Sequence, residues 1–356
     1  PVAPTRTPAP TATERPSATP TPRPTRTPTP TDAPTASPTP TPQPELRQLT
    51  AGGCCVQPFF SPNGQQVLFI DKPTADAPAG IYGVDVTGSP ATPPQLVEET
   101  IGFRSPDRNI VAQMDGDAAR FTNETTGQTW DVNTGGNWPR YSPDSSRILW
   151  TAADREGPYD QRRADIHVAQ LSGDNPRVVY FLYGGGFLGW LPDGERILLV
   201  GRDEPLSEQQ TLLTYNLTTE QETRLVSHKR IRGIEMSPGG TWAAYFVDFA
   251  DDNPDNRGLW VVSTDGQTRK KLNAPGFGAY RWQNDSTLLL IPLRDDPAKS
   301  MQLWAINVED NRAVPLTDPA QTPFSISNGD WEVSPDGRTV VFVNSADQNI
   351  WLIELP

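Results

Sequence analysis

A tetrad of turn-forming residues recurs along the chain and limits the possible folds more than any other feature. Most copies read Ser-Pro-Asp-Gly or a close variant, and they follow one another at intervals of 37 to 51 residues. The tetrads begin at Ser61, Ser105, Ser142, Leu191, Ser237, Gln283 and Ser334. A period of this length is the signature of a repeat architecture in which each copy is one supersecondary unit.

Each tetrad predicts a tight hairpin turn. Proline presets φ for the first turn position, Asp or Asn can bond the following backbone, and Gly tolerates the positive φ that the turn requires. A β-branched or aromatic run follows each tetrad, and a third apolar run and a more polar fourth run come before the next one. The repeat therefore predicts units of four antiparallel strands.

This unit resembles the repeat of TolB-like, WD40-like β-propellers, and the resemblance covers residues 46–356. It implies an all-β fold, a seven-bladed β-propeller of four-stranded antiparallel blades. The last unit ends after its third strand, and residues 45–50 match the missing fourth strand. We therefore expect an N-terminal strand to close the ring and to cover the exposed sheet edge. The resemblance is specific for fold and nearly silent on function.

The second unit departs from this pattern at Arg104, where the other copies keep an apolar residue such as Phe60 or Tyr141. Either the strand register slips there so that Phe103 turns inward, or this blade is functionally altered. An unpaired arginine between packed sheets is costly, so we expect the slip.

Residues 1–44 consist almost entirely of Pro, Thr, Ala and Ser. Such a segment cannot bury enough apolar surface to offset its ordering entropy, so we expect a disordered, extended linker in front of one propeller domain at 45–356. A Pro/Thr-rich stalk is typical of surface-exposed bacterial proteins, which favours an extracytoplasmic location (secreted, periplasmic or cell-surface tethered) over a cytosolic one. An export signal or anchor upstream of Pro1 would fit this interpretation.

The charge balance favours some partners over others. The chain carries a net charge of −13, and residues 1–44 carry +2, which leaves −15 on the remainder. Nucleic-acid surfaces and docking on anionic lipid need clustered Lys and Arg, so we expect neither. No run approaches the length of a membrane span, and we expect no membrane insertion of this segment. Cations or basic partners fit better.

The first strand of each propeller blade lines the central channel, and side chains two apart share a face. Counting back from the tetrads, with the second unit omitted, gives the channel-facing residues Phe59, Arg140, Gly189, Glu235, Arg281 and Glu332. Glu235, Arg281 and Glu332 fall on consecutive units. They predict either a belt of alternating charges that holds the channel wall together or a polar ring that binds a ligand.

The loops that enter the first strands open on the mouth of the channel, and several combine glycine pairs with an aromatic residue. Trp138, Phe187 and Phe277 lie in or beside such loops. This pattern predicts a shallow aromatic bowl for a sugar or a peptide. The alternative is that the glycines permit tight turns and the aromatic side chains plug the mouth.

Cys54 and Cys55 are adjacent and are the only cysteines in the chain. In an oxidising compartment they could form a vicinal disulfide that gives a rigid apolar platform at the mouth; the alternative is a pair of reduced, buried thiols. This pair alone is not expected to bind a metal, because His167 and His228 have no ligand spacing.

One acidic loop resembles the start of a calcium-binding loop, because Asp251, Asn253 and Asp255 alternate along it. The closing Glu is absent, since Val262 stands at its position. This predicts at most a weak calcium site, with a solvated polar loop as the alternative. No other cofactor is expected.

Catalytic motifs are missing from the sequence. There is no Gly-x-Ser-x-Gly elbow or Cys-x-x-Cys-His haem motif, and two histidines offer little for a catalytic triad. The sequence therefore favours a non-catalytic binding or scaffolding propeller that engages a protein, a peptide or a glycan through its channel mouth. Two alternatives stay open: a glycan hydrolase, lyase or metal-dependent lactonase that uses channel-mouth carboxylates, and a purely structural envelope module. The sequence leaves the oligomeric state open.

Overall fold

The computed structural model describes residues 44–53, 55–249, 251–294, 296 and 299–355, all within one unit at 42–356. The expected stalk at 1–43 lies outside the described residues. Strands β1 to β9 are β1 (Glu45–Gln48), β2 (Val56–Phe60), β3 (Gln66–Asp71), β4 (Gly80–Asp85), β5 (Gln95–Glu98), β6 (Phe103–Arg104), β7 (Ile110–Asp115), β8 (Ala118–Asn123) and β9 (Thr129–Asn133).

The remaining strands continue the same meander. Strands β10 to β18 are β10 (Arg140–Tyr141), β11 (Arg147–Ala153), β12 (Arg163–Gln170), β13 (Arg177–Trp190), β14 (Arg196–Arg202), β15 (Gln210–Asn216), β16 (Glu222–His228), β17 (Ile231–Met236) and β18 (Trp242–Val247). Strands β19 to β27 are β19 (Gly258–Ser263), β20 (Arg269–Lys271), β21 (Gly278–Asn284), β22 (Thr287–Pro292), β23 (Trp304–Asn307), β24 (Arg312–Pro315), β25 (Ile326–Val333), β26 (Thr339–Asn344) and β27 (Ile350–Glu354).

Helical structure in the described residues consists of two 3₁₀ turns, Tyr159–Gln161 and Pro254–Asn256. In the same ranges, no helix is long and apolar enough to cross a membrane.

The strands form antiparallel sheets in a propeller-like ring. Five sheets have four strands: β2–β5, β6–β9, β17–β20, β21–β24, and the set β1, β27, β26, β25 in that spatial order. Strands β10–β16 form one seven-stranded sheet. The sequence predicts seven separate four-stranded sheets, and the backbone pairing differs because β13 pairs with both β12 and β14.

Strand direction gives the ring two distinct ends. In each four-stranded meander the first strand runs into a tetrad hairpin, the second returns, and the third and fourth repeat this course. The tetrad hairpins and the third-to-fourth-strand turns therefore lie at one end, which we call the turn end. The second-to-third-strand loops and the connections between sheets lie at the other end, which we call the mouth.

The tetrads form the predicted hairpin turns. In six of them the amide of the fourth residue donates to the carbonyl of the first at 2.8–2.9 Å, and the fourth residue has a positive φ, as at Gly64 (φ 69°). The copy that begins at Gln283 differs, because Asn284 pairs directly with Thr287 across a two-residue turn. The hairpin prediction is therefore confirmed at all seven tetrads, with a different turn at this one.

The N-terminal strand pairs with the last strand, as the sequence predicts. Glu45 lies opposite Glu354, and the fully buried Leu49 donates its amide to the Ile350 carbonyl at 2.8 Å. Arg47 bonds both Glu354 (2.9 Å) and the Gly88 carbonyl (3.0 Å) of the neighbouring β2–β5 sheet. Strand β1 thus covers the edge of β27 and links the last sheet to the first one.

The core lies between adjacent sheets. One apolar cluster joins Phe121 of the β6–β9 sheet to Tyr141 and Ile148 of the next, and another joins Phe69 of the β2–β5 sheet to Val341 and Ile350. A strand that is covered on both faces needs apolar residues at every position, which explains the continuous apolar runs behind the tetrads. Full burial of each large side chain contributes about 1.5–3 kcal/mol.

The junction between the β2–β5 and β6–β9 sheets contains charge. Arg104 pairs with Val111 in the same register as Tyr141 with Ile148, so the expected register slip is wrong. The Arg104 side chain, 9% exposed, contacts Glu98 and Glu124, each at 2.5 Å. Burial alone lowers the pKa of Arg104, and the bonds to Glu124 and Glu98 raise it above its usual value. Two carboxylates thus compensate the cation that the sequence leaves unpaired.

Candidate functional site

Three charged side chains meet on the channel wall at one level. Glu235, Arg281 and Glu332 lie opposite Ala244, Leu289 and Val341 on their second strands. Arg281 Nη1 donates to Glu235 Oε1, and the Arg281 guanidinium lies 5.5 Å from the centre of the Trp331 ring. We call these three residues the charged channel group.

Burial dominates the electrostatics of this group. It raises the pKa of Glu235 to about 7; Arg281 opposes this shift and Glu332 reinforces it. Burial also raises the pKa of Glu332, against the effects of its hydrogen bond from the Val333 amide and of Arg281. At neutral pH Glu235 can therefore accept or release a proton, whereas an exposed Glu would be fully ionised.

Two cavities adjoin the charged channel group. One of about 240 Å³ is lined by Phe59, Arg281, Trp331 and Glu332, among others. A second of about 140 Å³ is lined by Glu235, Phe277 and Arg281. Phe277 is exposed and packs on Phe246 with ring centres 4.3 Å apart. Of the three predicted mouth aromatics Trp138, Phe187 and Phe277, Phe277 is thus the one that shares a cavity with the charged channel group in the described residues.

Trp138 and Arg140 form a separate group around Phe103. The ring centres of Trp138 and Phe103 are 4.8 Å apart, and the Arg140 guanidinium lies 4.4 Å above the Phe103 ring. Burial lowers the pKa of Arg140. No carboxylate pairs with Arg140 among the described residues. We call these three residues the aromatic channel group; Phe103 was not among the predicted channel residues because a slipped register was expected in this blade.

Phe187 lies apart from Trp138. It is partly buried on β13, it packs edge-on against Trp190 with ring centres 6.3 Å apart, and its amide donates to Thr151 Oγ1 at 3.1 Å. Phe187 thus packs against its own sheet, and the bowl and the plug both stay predictions.

Cys55 takes part in a disulfide bond and has a φ of 81°. It is partly buried against the cluster that contains Leu49 and Phe60. The chain contains one other cysteine, Cys54, which lies outside the described residues. Because Cys54 is not described, the vicinal pairing of Cys54 with Cys55 stays a prediction, which intact mass before and after alkylation would test.

The candidate calcium loop is organised by protein donors. The buried Asp251 carboxylate accepts the Asn253 amide and the Asn256 side-chain amide, both at 3.0 Å, and lies 3.2 Å from His228 Nδ1. Asn253 Oδ1 accepts the Asp255 amide at 3.0 Å. Across the described residues, no three His, Cys, Asp or Glu side chains are grouped as metal ligands would be. The calcium site stays a prediction, which a calcium titration would test.

Large apolar side chains are exposed at the mouth of the ring. Phe249 is 76% exposed, Leu206 69% and Leu293 68%, and all three lie in second-to-third-strand loops. The other exposed apolar side chains at this end are Val56, Ile101, Trp138, Tyr159 and Phe277. We call these eight residues the apolar rim. In the described part of the chain, none of the exposed large apolar side chains lies in a turn at the turn end.

Further cavities open at the mouth beside the apolar rim. One of about 250 Å³ is lined by apolar side chains that include Leu293, Met301 and Trp331. Another of about 510 Å³ lies beside Tyr159 and is lined by Arg202, Arg230 and Arg232. The sequence patterns did not identify the residues that line these two cavities. A large apolar residue in an otherwise polar loop, as at Leu293, is the sequence feature that could have pointed to them.

The fold and the channel define the class of protein as a β-propeller. Solved propellers share the fold: oligogalacturonate lyase from Vibrio parahaemolyticus has a TM-score of 0.60 at 12% identity, over 88% of this chain and 97% of that one. Dipeptidyl peptidase 4 from Porphyromonas gingivalis has a TM-score of 0.54 at 12% identity, over 81% of this chain and 48% of that one.

A protein assigned as TolB from Agrobacterium tumefaciens is also similar, at 16% identity over 88% of this chain and 91% of that one, with a TM-score of 0.39. The expected propeller fold is confirmed by the two matches with TM-scores of 0.60 and 0.54, and identities this low show fold alone. No protein-family model and no curated protein matches the sequence.

Proposed function

We propose that this protein is a seven-bladed, extracytoplasmic propeller that binds a protein or peptide partner through its mouth and performs no catalysis. The apolar rim is the observation that carries this proposal. Large exposed apolar patches on soluble proteins mark interaction sites, and the rim places eight large apolar side chains at the same end of the ring. The rim mixes aliphatic with aromatic residues, which favours a protein or peptide over a glycan.

The blade count follows from treating the seven-stranded sheet as two blades that share β13. Tyr183 pairs with both Arg163 and Arg202 at the mouth, whereas Arg177 and Trp190 pair with residues near the turn end. The chain thus reverses near Gly184. Residues before this reversal act as the fourth strand of one blade, and residues after it act as the first strand of the next.

The location is argued from composition. The Pro/Thr-rich segment at 1–44 would hold the propeller away from a surface, and a disulfide at Cys55 is compatible with an oxidising compartment. The mouth would then face partners in the envelope or outside the cell.

A photo-crosslinking amino acid tests the proposed binding face. Placed at Phe249 in cells that produce the protein, it should yield a discrete adduct, which mass spectrometry then identifies. Phe181 is the matched control, because it is an aromatic residue of the outer half of β13 with 47% exposure. The same adduct from both positions, or none from Phe249 and Phe277, would argue against binding at the mouth.

An enzyme is the second candidate, and one observation favours it. Glu235 and Glu332 both have raised pKa values and lie on either side of Arg281 in the channel. They line two adjoining cavities that share Arg281. General acid–base chemistry on a glycan requires two such carboxyl groups, one protonated and one ionised. Turnover of polysaccharides by the wild-type protein, absent from Glu235→Gln, would replace the binding proposal with this one.

A further inference from the structure

A pocket at the mouth concentrates positive charge on a strongly acidic domain. It has a volume of about 510 Å³ and lies where the ends of β14 and β17 approach the Tyr159–Gln161 turn. A water molecule takes about 30 Å³ in the liquid, so the space can hold a small organic ligand. Its lining includes the side chains of Arg202, Arg230 and Arg232.

Arg202 is fixed in place without a neutralising partner. Its Nε donates to the Ser207 carbonyl at 2.8 Å, and Nη1 approaches the Gly184 carbonyl at 3.5 Å. Within the described residues, Arg202 makes no ion pair. The side chain is half-buried, so the two carbonyls orient a guanidinium whose full positive charge stays available to a ligand.

The backbone allows this arrangement through two glycines. A Cβ at Gly184 would lie 2.8 Å from Arg202 Nη1 and 2.6 Å from the Asp160 Cα, and a Cβ at Gly185 would lie 1.9 Å from the Val200 carbonyl oxygen. Only glycine lets β14 and the Tyr159–Gln161 turn approach this closely. The pocket is therefore shaped by packed backbone as well as by mobile side chains.

The charges of the lining do not cancel. Arg232 Nε contacts Asp248 at 2.9 Å, and Arg230 lies 3.7 Å from the same carboxylate. Among the described residues, Asp160 is the one acidic residue that lines the pocket itself. Three guanidinium groups thus face two carboxylates, in a region that otherwise belongs to a domain of strongly negative charge.

We propose that this pocket binds a small ligand that carries carboxylate or phosphate oxyanions, with Arg202 as the fixed donor and Arg230 and Arg232 as the adjustable ones. Arginine forks match the planar geometry of carboxylate and the oxygens of phosphate. The exposed Tyr159 ring at the edge offers an apolar surface to the rest of the ligand. The pocket shares Tyr159 with the apolar rim, but its arginines are not part of the rim and anion binding is measured without a partner, so either proposal can fail alone.

Calorimetric titration of the full chain with citrate and with inorganic phosphate tests the site, with glycerol as the neutral control. Citrate or phosphate should bind at millimolar concentration or tighter, and the tighter of the two identifies the oxyanion. Arg230→Gln, whose half-exposed side chain has little part in the fold, should weaken binding about tenfold, and Arg202→Met should weaken it at least as much. Asp160→Asn should strengthen it, because it removes a competing carboxylate.

Arg120→Gln is the matched control, because it makes the same charge change at an exposed position on β8. It should leave binding within twofold of wild type. No binding of either anion at about 10 mM would overturn the proposal, and so would equal losses in Arg230→Gln and Arg120→Gln.

Discussion

The two ends of the ring differ in how closely the repeated units resemble one another. At the turn end the same bond recurs: Ser142 Oγ donates to Asp144 and Ser334 Oγ donates to Asp336, each at 2.6 Å. At the mouth, the second-to-third-strand loops differ in length and sequence from blade to blade, as 203–209 and 248–257 do. Bonds that recur in copy after copy serve the shared fold, whereas features found once per ring are free to serve recognition.

The electrostatics of the two ends differ as well. Hydrogen bonds from Ser142 and Ser146 lower the pKa of Asp144 to about 2, so this carboxylate stays charged and stabilises its turn at any ordinary pH. In the channel, burial raises the pKa of Glu235 to about 7. The turn end is therefore insensitive to physiological pH, while the channel can respond to it.

The largest effect should come from removing the strand that completes the repeated framework. Deleting residues 45–50 exposes the edge of β27 and removes the buried Leu49. The loss should exceed about 5 kcal/mol, a large share of the stability of a typical domain, and leave little folded protein by circular dichroism. Deleting residues 1–40 should leave the melting temperature unchanged. A 45–50 deletion that melts like wild type would contradict closure by β1.

The next largest effect is a pH dependence of stability, which is expected from the channel and not from the turn end. Glu235 has a raised pKa in the folded state, so the unfolded chain releases its proton first and stability falls as pH rises from about 4.5 to about 7. Urea unfolding at pH 5 and pH 8 measures this loss of stability. Glu235→Gln should reduce the difference in unfolding free energy between the two pH values by on the order of 1–2 kcal/mol, a figure that allows for the partial exposure of the side chain. The exposed Glu156→Gln serves as control. Identical slopes for both variants would show that Glu235 is ionised as in solvent.

A smaller effect is expected at the turn end. Ser142→Ala removes the donor to Asp144 and the acceptor of the Arg147 amide, which should cost about 1 kcal/mol in denaturant unfolding. Ser89→Ala, at an exposed serine whose hydroxyl has no such role in the described residues, should stay within about 0.5 kcal/mol of wild type. Equal values would mean that the tetrad bonds do not stabilise the framework.

The sequence predicts the framework well because turn chemistry and strand periodicity are local. The tetrads and the apolar second strands follow from residues that are neighbours in the sequence. The pairing of β1 follows because residues 45–50 match the fourth strand that the last unit lacks. Arg104 was misjudged because its partners lie on other strands and loops: Glu98 ends the last strand of the preceding sheet, and Glu124 follows β8, so only the packing of the two sheets brings them to Arg104. The break in strand pattern at β13 depends on the reversal at Gly184, which periodicity does not reveal.

The candidate site was predicted in part. Channel positions follow from counting along strands, and the ion pair between Glu235 and Arg281 joins two of the residues so identified. The grouping of Arg202 with Arg230 and Arg232 depends on loop conformation between different sheets, and no spacing in the sequence indicates it. Loop packing is set by tertiary contacts, so it becomes visible only in the structure.

One measurement tests most directly whether recognition and stability are divided between the mouth and the framework. A variant that combines Leu206→Ser, Phe249→Ser and Leu293→Ser should be compared with wild type for both its free energy of unfolding and its affinity for the partner identified by crosslinking. If the mouth serves recognition and the framework serves stability, the unfolding free energy should stay within about 0.5 kcal/mol per site of wild type, and the affinity should be at least tenfold weaker. A large loss of stability with unchanged affinity would show that the apolar rim is part of the framework, and would contradict the account.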